Sequence, residues 1–344
     1  MLNFKKPFIS FVLLPIASVT AFAGNPEIAS AHNHPAYVNA SNIGYNNPNW
    51  MAKIPDNRNL SSLSIPGTHD SMSLHGGDVV TTQSMSLATQ LNSGIRVLDI
   101  RCRHINDSFA IHHGVVYQKA NFDDVLKTVA DFLANNPSET VLMRVKEEYK
   151  PQNNTRSFEE TFKKYNEKYS KFIWAPTSQN PKLGDVRGKI VILQDFSASS
   201  QFGLQYNRFD SQDNYNLKTN WDLHQKWTYV KAHINKANAS NKDKFFINYL
   251  SGSGGSFPYF VASGHSSPGT SAPRLSTGAT TPAFKNKYPD FPRVNCRIGI
   301  CTIAFEGTNV LTYEKIKNKQ MYTGIIMADF PGGGLIDSVI KLNN

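Results

Sequence analysis

The residues best suited to chemistry in this chain are two histidines, two aspartates and an arginine in its first third. They occur in the order His69-Asp70, Asp99-x-Arg101 and His113, and each group follows an apolar run typical of a β-strand. Because the carboxyl ends of parallel strands meet at one face of a barrel, we expect these side chains to converge there. Two imidazoles can act as base and acid, and a guanidinium binds anionic oxygens. The pattern therefore predicts chemistry on a phosphodiester.

Two further charged residues occupy similar positions later in the chain. Lys146 lies near the end of the next predicted strand, and Asp329 ends the apolar run 324–328. A plain surface charge is the alternative for either residue. For Asp99 and Arg101, which share one strand face, the alternative is a buried ion pair with a packing role only. The repeated occurrence of charge at strand ends favours a site.

Strands and helices alternate along the chain after about residue 50. A helix over 122–136 is the clearest prediction, because apolar residues repeat at three and four, Asn121 can cap its start and Pro137 ends it. The predicted strands are 63–68, 96–102, 109–112, 140–147, 189–196, 245–250 and 323–329, and the other predicted helices are 84–93, 158–172, 221–237 and 313–319. Such alternation indicates the α/β fold class, as a parallel (β/α) TIM-type barrel in a single domain. A stretch rich in Gly, Ser and Pro, 251–281, is predicted to form a long loop at the rim of the site.

The composition is that of a globular protein that carries a secretory leader. Of the 344 residues, 40% are hydrophobic and 18% are charged, which excludes a fibrous or wholly disordered chain. A basic start, a short apolar stretch and Ala21-Phe22-Ala23 predict a signal peptide over residues 1–23, cleaved near Ala23, and hence secretion. We expect a flexible leader over residues 24–49 and one barrel domain over residues 50–344.

The charge and the cysteines limit the partners. The formal net charge is +10, or +8 without Lys5 and Lys6, which suits anionic lipid headgroups among other partners. No dense Lys/Arg run or aromatic ladder occurs, so nucleic acid is not expected. Cys296 and Cys301 are close enough in sequence to form a disulfide, and Cys102 is predicted to be a buried thiol. No cysteine spacing fits a zinc site.

Five motifs in order carry a resemblance to a known family. They are Ser64 to Ser71, Asp99-x-Arg101-x-Arg103, His112-His113-Gly114, Asn136 to Thr140 and Lys146 to Tyr149. Over about residues 50–329 the chain resembles the secreted bacterial phosphatidylinositol-specific phospholipase C family, densely up to Tyr149 and sparsely beyond it. The resemblance implies a distorted (β/α) barrel and a phosphatidylinositol diacylglycerol-lyase that meets phosphatidylinositol transiently at membrane surfaces.

The mechanism that the resemblance implies is a cyclisation. The inositol 2-hydroxyl attacks phosphorus, which gives diacylglycerol and inositol 1,2-cyclic phosphate. The implied roles are His69 as general base oriented by Asp329, His113 as general acid with Asp99 close by, Arg101 as phosphate clamp, and Asp70 as the link between Arg101 and the leaving-group side. The sequence leaves open whether glycosylphosphatidylinositol anchors are also cleaved.

The resemblance further implies that no metal cofactor is needed. Calcium-dependent relatives carry Glu-x-Asp where this chain has Asp99-x-Arg101. Calcium requires a cluster of oxygen ligands, and a guanidinium instead supplies a permanent positive charge. Two other functions stay open: a metal-dependent glycerophosphodiester phosphodiesterase or phospholipase D-like barrel enzyme, and an inactive secreted lipid- or inositol-binding protein. The second would require a missing base, acid or clamp, and all three residue types are present.

Headgroup recognition is predicted for four residues. Gln212-Asp213-Asn214-Tyr215 resembles the family's Gln-Asp-x-Tyr segment, in which the aspartate binds inositol hydroxyls and the tyrosine stacks on the ring. An ordinary turn is the alternative. Lys146 is a further substrate-binding candidate. Asp195 stands where secreted members often have an arginine, and it can still accept hydrogen bonds from hydroxyls.

Membrane contact is predicted for aromatic residues of the Gly-rich loop. These are Phe257, Tyr259 and Phe260. Rim aromatics and basic charge are how a soluble enzyme reaches a lipid surface. The alternative is that the same aromatics fold back as a lid or a core plug. Nothing in the sequence indicates an oligomer, so we expect a monomer.

Overall fold

The computed structural model describes residues 33–344, so the predicted signal peptide and residues 24–32 of the predicted leader lie outside the described residues. The strands are β1 (Asn33–His34), β2 (Tyr37–Val38), β3 (Ile65–Thr68), β4 (Val97–Ile105), β5 (Ser108–His113), β6 (Val116–Asn121), β7 (Val141–Glu147), β8 (Ile190–Asp195), β9 (Leu204–Gln205), β10 (Asp210–Gln212), β11 (Asn216–Leu217), β12 (Phe246–Tyr249), β13 (Ser253–Gly254), β14 (Ser276–Thr280), β15 (Arg293–Arg297), β16 (Ile300–Ala304) and β17 (Ile325–Ala328). The α-helices are α1 (Leu87–Ser93), α2 (Phe122–Asn135), α3 (Phe158–Lys168), α4 (Leu183–Val186), α5 (Leu223–Asn238), α6 (Pro258–Ser263), α7 (Thr308–Ile316) and α8 (Gly333–Lys341).

Eight parallel strands form a barrel that is open at one seam. Neighbouring strands follow the order β10-β12-β17-β3-β4-β7-β8-β9, and every pair in this series is parallel. The last barrel strand, β17, pairs with the first, β3, whereas no ladder joins β9 to β10 within the part of the chain that the structure describes. The predicted fold class is therefore confirmed: the protein is a distorted parallel (β/α) barrel.

Alternate side chains of the strands fill the barrel and face the helices. Apolar residues of β3, β4, β7, β8, β12 and β17 form one buried cluster inside the barrel, Val97 among them. Leu98 and Ile100 of the same strand belong to the cluster under the helices. Because side chains alternate along a strand, Asp99 and Arg101 continue the inward row that Val97 begins. The strand pattern thus carries polar side chains to the mouth of the barrel.

His113 reaches this mouth by a different route from the one that the sequence predicts. β4 continues past the barrel to Ile105, and β5 and β6 pair with it and with each other as antiparallel strands. The turn between β4 and β5 holds Asn106 and Asp107 at φ of 50° and 57°, a conformation that these two residue types tolerate. The run 109–112 is therefore a returning hairpin strand and not a barrel strand.

The predicted flexible leader is wrong for residues 33–38. Ala36, Tyr37 and Val38 are buried, and β1 and β2 form a small hairpin. The Val38 N–H donates to the carbonyl of Phe330, and the Gly332 N–H donates to that of Ala36. A four-residue apolar segment is too short to show periodicity, but it packs firmly against the end of the barrel.

The longest connection, residues 250–307, separates β12 from α7. It contains β13, α6 and an antiparallel sheet of order β14-β16-β15, so the loop predicted over 251–281 has a helix and two strands of its own. Thr308 Oγ1 donates to the Leu250 carbonyl and closes the connection at its base. Cys296 and Cys301 form a disulfide, which the sequence had left open, and Cys102 is a buried free thiol, as predicted. Among residues 33–344, no helix combines the length and apolar character of a membrane span.

Candidate active site

His69 and Asp329 are neighbours because their strands are neighbours. β3 and β17 pair in register up to Thr68 opposite Ala328, so His69 and Asp329 are the next position on each strand. His69 Nδ1 lies 2.8 Å from Asp329 Oδ1, and Arg101 Nη2 lies 2.8 Å from His69 Nε2. A guanidinium only donates, so Nε2 accepts and Nδ1 carries the proton donated to Asp329. This tautomer presents a basic nitrogen to the barrel mouth.

The basicity of His69 is set by opposing effects. Burial alone would lower its pKa, but the adjacent Asp329 carboxylate stabilises the imidazolium and raises the pKa above the ordinary value of 6.5. Arg101 opposes this effect because two cations repel each other. The net result is a pKa of His69 above its ordinary value, because the carboxylate beside it outweighs both its burial and Arg101.

His113 is held on the other side of Arg101. Its Nδ1 lies 2.9 Å from the Val80 carbonyl oxygen, 3.0 Å from Ser73 Oγ and 3.2 Å from Asp70 Oδ2. A carbonyl only accepts, so Nδ1 bears a proton and Nε2 is the atom that remains for a ligand. Asp70 Oδ2 also lies 3.4 Å from Arg101 Nη1. Asp70 therefore contacts both Arg101 and His113, in the position that the resemblance implies.

Asp70 is a buried residue in a constrained backbone conformation. Its φ is 41°, in the left-handed region that aspartate tolerates better than most side chains. Its N–H donates to Asp99 Oδ2 at 3.0 Å. Burial raises the pKa of Asp70, although Arg101 and His113 favour its charged form. The turn after β3 thus aims one carboxyl between two cationic groups.

Asp99 lies beneath two arginines, and the carboxylate in direct contact with His113 is that of Asp70. Its Oδ2 is 3.2 Å from Arg101 Nη2, and its Oδ1 is 3.2 Å from Arg144 Nη1. Burial would raise the pKa of Asp99, but the two guanidinium groups hold it well below its usual range. Asp99 is therefore an anion at every physiological pH, and it fixes the orientation of both arginines.

These groups surround one cavity of about 240 Å³ at the barrel mouth. The predicted residues that line it are His69, Arg101, His113, Lys146, Asp213, Tyr215 and Asp329. Asp70 and Asp99 lie below the lining and are almost fully buried. The structure thus brings together all six predicted catalytic residues and three of the four predicted substrate-binding residues.

The fourth predicted substrate-binding residue, Asp195, is not among the residues that line this cavity, whereas Arg144 is. Asp195 Oδ2 accepts hydrogen bonds from Arg144 Nε at 2.9 Å and from Nη2 at 2.6 Å. Arg144 Nη1 donates to Tyr249 Oη at 3.1 Å, and the guanidinium lies 4.5 Å from the centre of the Tyr206 ring. Arg144 was not among the site residues predicted from the sequence. The available signal was its position two residues before Lys146, which puts both on one strand face.

A second cavity of about 440 Å³ adjoins the first and shares Asp213 and Tyr215 with it. Lys226 of α5 lines this cavity although it is buried, and its Nζ lies 3.4 Å from Gln212 Oε1. Burial lowers the pKa of Lys226 to about 7, against the opposite effect of Asp213 and Asp329. The sequence analysis missed this lysine too, because nothing in its spacing separates it from the solvated lysines of other helices.

The three predicted membrane-contact residues have different environments. Phe257 is 44% exposed, but Tyr259 and Phe260 are only 1% exposed. The two buried rings lie on α6 and pack edge-on against Phe330 and Phe305 respectively. The membrane-contact prediction is therefore wrong for Tyr259 and Phe260, because the short helix turns them onto the core.

Over the described residues, no group of three or more His, Cys, Asp or Glu side chains is arranged to hold a metal ion. Asp70, Asp99 and Asp329 are instead paired with arginine or histidine. Arg101, which lines the cavity, has a pKa raised above its ordinary value, because Asp70, Asp99 and Glu148 outweigh the cost of its burial. The permanent positive charge of the site is thus supplied by the chain itself.

Comparison with known proteins places this arrangement in a family. The sequence model of "Phosphatidylinositol-specific phospholipase C, X domain" matches residues 57–195. A 1-phosphatidylinositol phosphodiesterase of Listeria monocytogenes is 32% identical over 318 residues, covering 86% of this chain and 84% of the relative. A Staphylococcus aureus protein of the same name is 32% identical over 259 residues, covering 67% and 79%.

The fold agrees with a solved structure of the same group. The phosphatidylinositol-specific phospholipase C from Listeria monocytogenes superimposes with a TM-score of 0.62 at 29% identity, over 87% of this chain and 99% of that one. The sequence match and the structural match both extend far beyond the segment that carries the motifs. The chain therefore belongs to the phosphatidylinositol-specific phospholipase C family.

Proposed function

We propose that this protein is a phosphatidylinositol-specific phospholipase C that cleaves phosphatidylinositol to diacylglycerol and inositol 1,2-cyclic phosphate. One observation carries the proposal: His69 and His113 line one cavity on opposite sides of Arg101, and each lies beside a carboxylate. A base, an acid and an anion clamp are the groups that an internal attack on a phosphodiester needs. The names of the relatives, 1-phosphatidylinositol phosphodiesterase, support the same substrate.

The proposed reaction transfers one proton from the substrate to His69 and one proton from His113 to the leaving group. His69 Nε2 takes the proton of the inositol 2-hydroxyl, and the oxygen forms a bond to phosphorus. The bond between phosphorus and the glycerol oxygen breaks, and His113 Nε2 gives that oxygen its proton. Each proton transfer contributes about 10²- to 10⁴-fold in rate. Asp329 stabilises the imidazolium that forms on His69. Asp70 stabilises the imidazolium of His113 before it gives up its proton.

Arg101 neutralises the phosphate as charge builds up on it. Its Nη2 donates to His69 Nε2, which is the atom that must accept the 2-hydroxyl proton. Binding of a phosphate therefore draws this N–H from the histidine onto a phosphate oxygen and frees the base in the same movement. Asp99 and Asp70 hold the guanidinium from below and keep it aimed at the cavity.

Headgroup recognition rests on the polar residues around the rest of the cavity. Lys146 and Asp213 offer a cation and an acceptor to the inositol hydroxyls, and Tyr215 offers a half-exposed ring to the face of the sugar. Arg144 takes the place that the sequence analysis gave to Asp195. Its guanidinium meets the cavity, and Asp195 acts as a positioning residue because both of its hydrogen bonds go to Arg144.

The setting of this activity is proposed on three further grounds. The signal peptide over residues 1–23, cleaved near Ala23, supports secretion, and the Cys296–Cys301 disulfide is typical of proteins outside the reducing cytosol. Phosphatidylinositol resides in membranes, so contact with a membrane surface is transient and occurs through the barrel mouth, where Phe257 is exposed. We propose that the enzyme acts as a monomer without a metal cofactor.

Phosphorus NMR of the protein acting on phosphatidylinositol in detergent micelles, with and without excess EDTA, tests the proposal. A cyclic phosphate signal that forms equally with EDTA is the expected result. Loss of the signal with EDTA would indicate a metal-dependent phosphodiesterase. The absence of any product would indicate a binding protein that lacks activity.

A further inference from the structure

Large apolar side chains that are exposed concentrate at the catalytic end of this barrel. Of twelve such residues in the described chain, ten lie on connections that follow a barrel strand, and only Tyr45 and Tyr229 lie elsewhere. In a parallel barrel, these connections all emerge at the carboxyl ends of the strands, around the active site. Random surface exposure would not sort apolar residues to one end. This end of the molecule therefore faces something apolar.

The most exposed of these residues is Ile298, in the turn between β15 and β16. Its side chain is 102% exposed, and Ile300 beside it is 54% exposed. All residues from Asn295 to Ile300 are exposed, so the tip of this hairpin projects away from the body of the protein. The base of the connection is fixed where Thr308 meets the end of β12, so the hairpin belongs to a connection that begins and ends at the catalytic end of the barrel.

The conformation of the tip indicates that the isoleucine does not stabilise the folded protein. Ile298 and Gly299 have φ of 47° and 76°, the left-handed pair that a two-residue hairpin turn requires. Asn, Asp and Gly adopt this conformation readily, whereas a β-branched residue is strained in it. A fully exposed side chain has no packing to offset this strain. A strained and unpacked residue at a loop tip points to a role in contact with a partner.

The chain also holds the hairpin rigid and surrounds it with positive charge. The Cys296–Cys301 disulfide joins the two strands directly below the turn, next to the Arg297–Ile300 pair. Exposed Arg297 adjoins the turn, and exposed Lys285 and Lys287 lie at the base of the hairpin, where their backbone carbonyls accept hydrogen bonds from Arg293 Nη2. A preorganised apolar tip loses little freedom on binding. Basic residues around such a tip complement an anionic surface.

We infer that this hairpin, Arg293–Ala304, is a membrane-inserting element that places Ile298 and Ile300 below the headgroups of an anionic bilayer while Arg297, Lys285 and Lys287 meet lipid phosphates. The inference rests on the proposed function, which requires a lipid surface at the barrel mouth. The partner is a lipid bilayer, because the apolar tip matches the acyl-chain region of a membrane surface and the basic flank matches its headgroup region. A second copy of the chain would offer like charge to the same flank.

Sedimentation with vesicles of phosphatidylcholine and phosphatidylglycerol in equal parts tests the inference. These vesicles contain no inositol lipid, so the result is independent of turnover. Ile298→Asn should weaken vesicle binding roughly tenfold to a hundredfold, because an isoleucine side chain no longer enters the bilayer. Asparagine suits the turn, so the melting temperature should not fall. Ile298→Leu, which keeps an apolar side chain of the same size at the tip, is the matched control and should bind vesicles as the parent does.

Insertion is measured directly with Ile298→Trp. The fluorescence of the added indole should be quenched by phosphatidylcholine brominated in its acyl chains. Vesicle binding of Ile298→Asn within about twofold of the parent, or no quenching of Ile298→Trp, would overturn the inference. So would a dimer of the parent in analytical ultracentrifugation that Ile298→Asn abolishes. The parent's production of cyclic phosphate in detergent micelles is a separate measurement, and its failure would refute the enzyme and not the hairpin.

Discussion

Replacing Arg101 by lysine separates the charge of the phosphate clamp from its geometry. The Arg101 guanidinium reaches in two directions: Nη2 lies 2.8 Å from His69 Nε2, and Nη1 lies 3.4 Å from Asp70 Oδ2. A lysine keeps the positive charge but offers a single nitrogen on a flexible stem. It cannot hold a phosphate oxygen while it stays tied to the carboxylates below. The second donor is therefore lost at the moment when charge builds up on the phosphate.

The expected loss follows from the number of donors removed. Loss of one preorganised donor to a developing anion costs about 10²- to 10³-fold in kcat, or about 2.7–4 kcal/mol. We expect Arg101→Lys to lose this much in kcat with a small change in KM, because the ground-state phosphate is still met by a cation. The assay is the rate of cyclic phosphate formation from phosphatidylinositol in detergent mixed micelles, followed by phosphorus NMR.

The matched control is Arg103→Lys, two residues along the same strand. Arg103 Nε donates to the Lys150 carbonyl at 3.0 Å and Nη2 donates to Gln152 Oε1 at 3.2 Å, so its contacts lie outside the cavity. Its kcat should equal that of the parent. A kcat of Arg101→Lys close to the parent value, in a folded protein, would show that charge alone is sufficient and would refute the two-donor clamp.

Three further perturbations give defined outcomes. Asp329→Asn should lower the midpoint of the acid limb of the kcat/KM pH profile, because Asp329 raises the pKa of His69 and the base works only when neutral; an unmoved limb would contradict this pairing. Glu139→Gln should reduce the free energy of unfolding in urea by about 3–5 kcal/mol, because it leaves the buried Arg96 without its anion 2.8 Å away; a change below about 1 kcal/mol would be inconsistent. Asp213→Asn should raise KM more than it lowers kcat, since Asp213 is proposed to bind hydroxyls and not the reacting atoms; a pure kcat effect would reassign it.

The sequence was most informative where neighbours in the chain are neighbours in the barrel. β3, β4 and β7 follow one another both in sequence and around the barrel. The neighbouring ends of β3 and β4 therefore predicted the meeting of His69 with Asp99 and Arg101 without knowledge of any long-range contact. Asp329 came from the far end of the chain, and it falls beside His69 because the last barrel strand, β17, pairs with the first, β3.

The sequence was least informative where a side chain's direction depends on tertiary contacts. Arg144 and Asp195 are both charged, and nothing local shows that one meets the cavity while the other holds it from behind. Tyr259 and Phe260 lie in a Gly-rich stretch that contains a short helix, and this helix buries them. The register of the antiparallel hairpin likewise decides where His113 ends up, and residue spacing alone does not fix it.

Helix limits illustrate the same point. The sequence predicts a helix over 313–319, and α7 in fact runs from Thr308 to Ile316. Its first turn contains Thr308 and Asn309, which interrupt the apolar pattern but are fully buried. They are polar because each side chain bonds a carbonyl at the barrel mouth, Thr308 to Leu250 and Asn309 to Asp329. A buried polar contact to a distant segment leaves no periodic signal.

The most direct test of the account compares His69→Ala and His113→Ala on two substrates that differ only in their leaving group. One is phosphatidylinositol, whose glycerol alkoxide needs a proton to depart; the other is the p-nitrophenyl ester of inositol phosphate, whose phenolate departs without one. The account predicts that His69→Ala loses about 10²- to 10⁴-fold on both substrates, whereas His113→Ala loses that much only on phosphatidylinositol. Equal losses of the two variants on both substrates would contradict the assignment of His69 as base and His113 as acid.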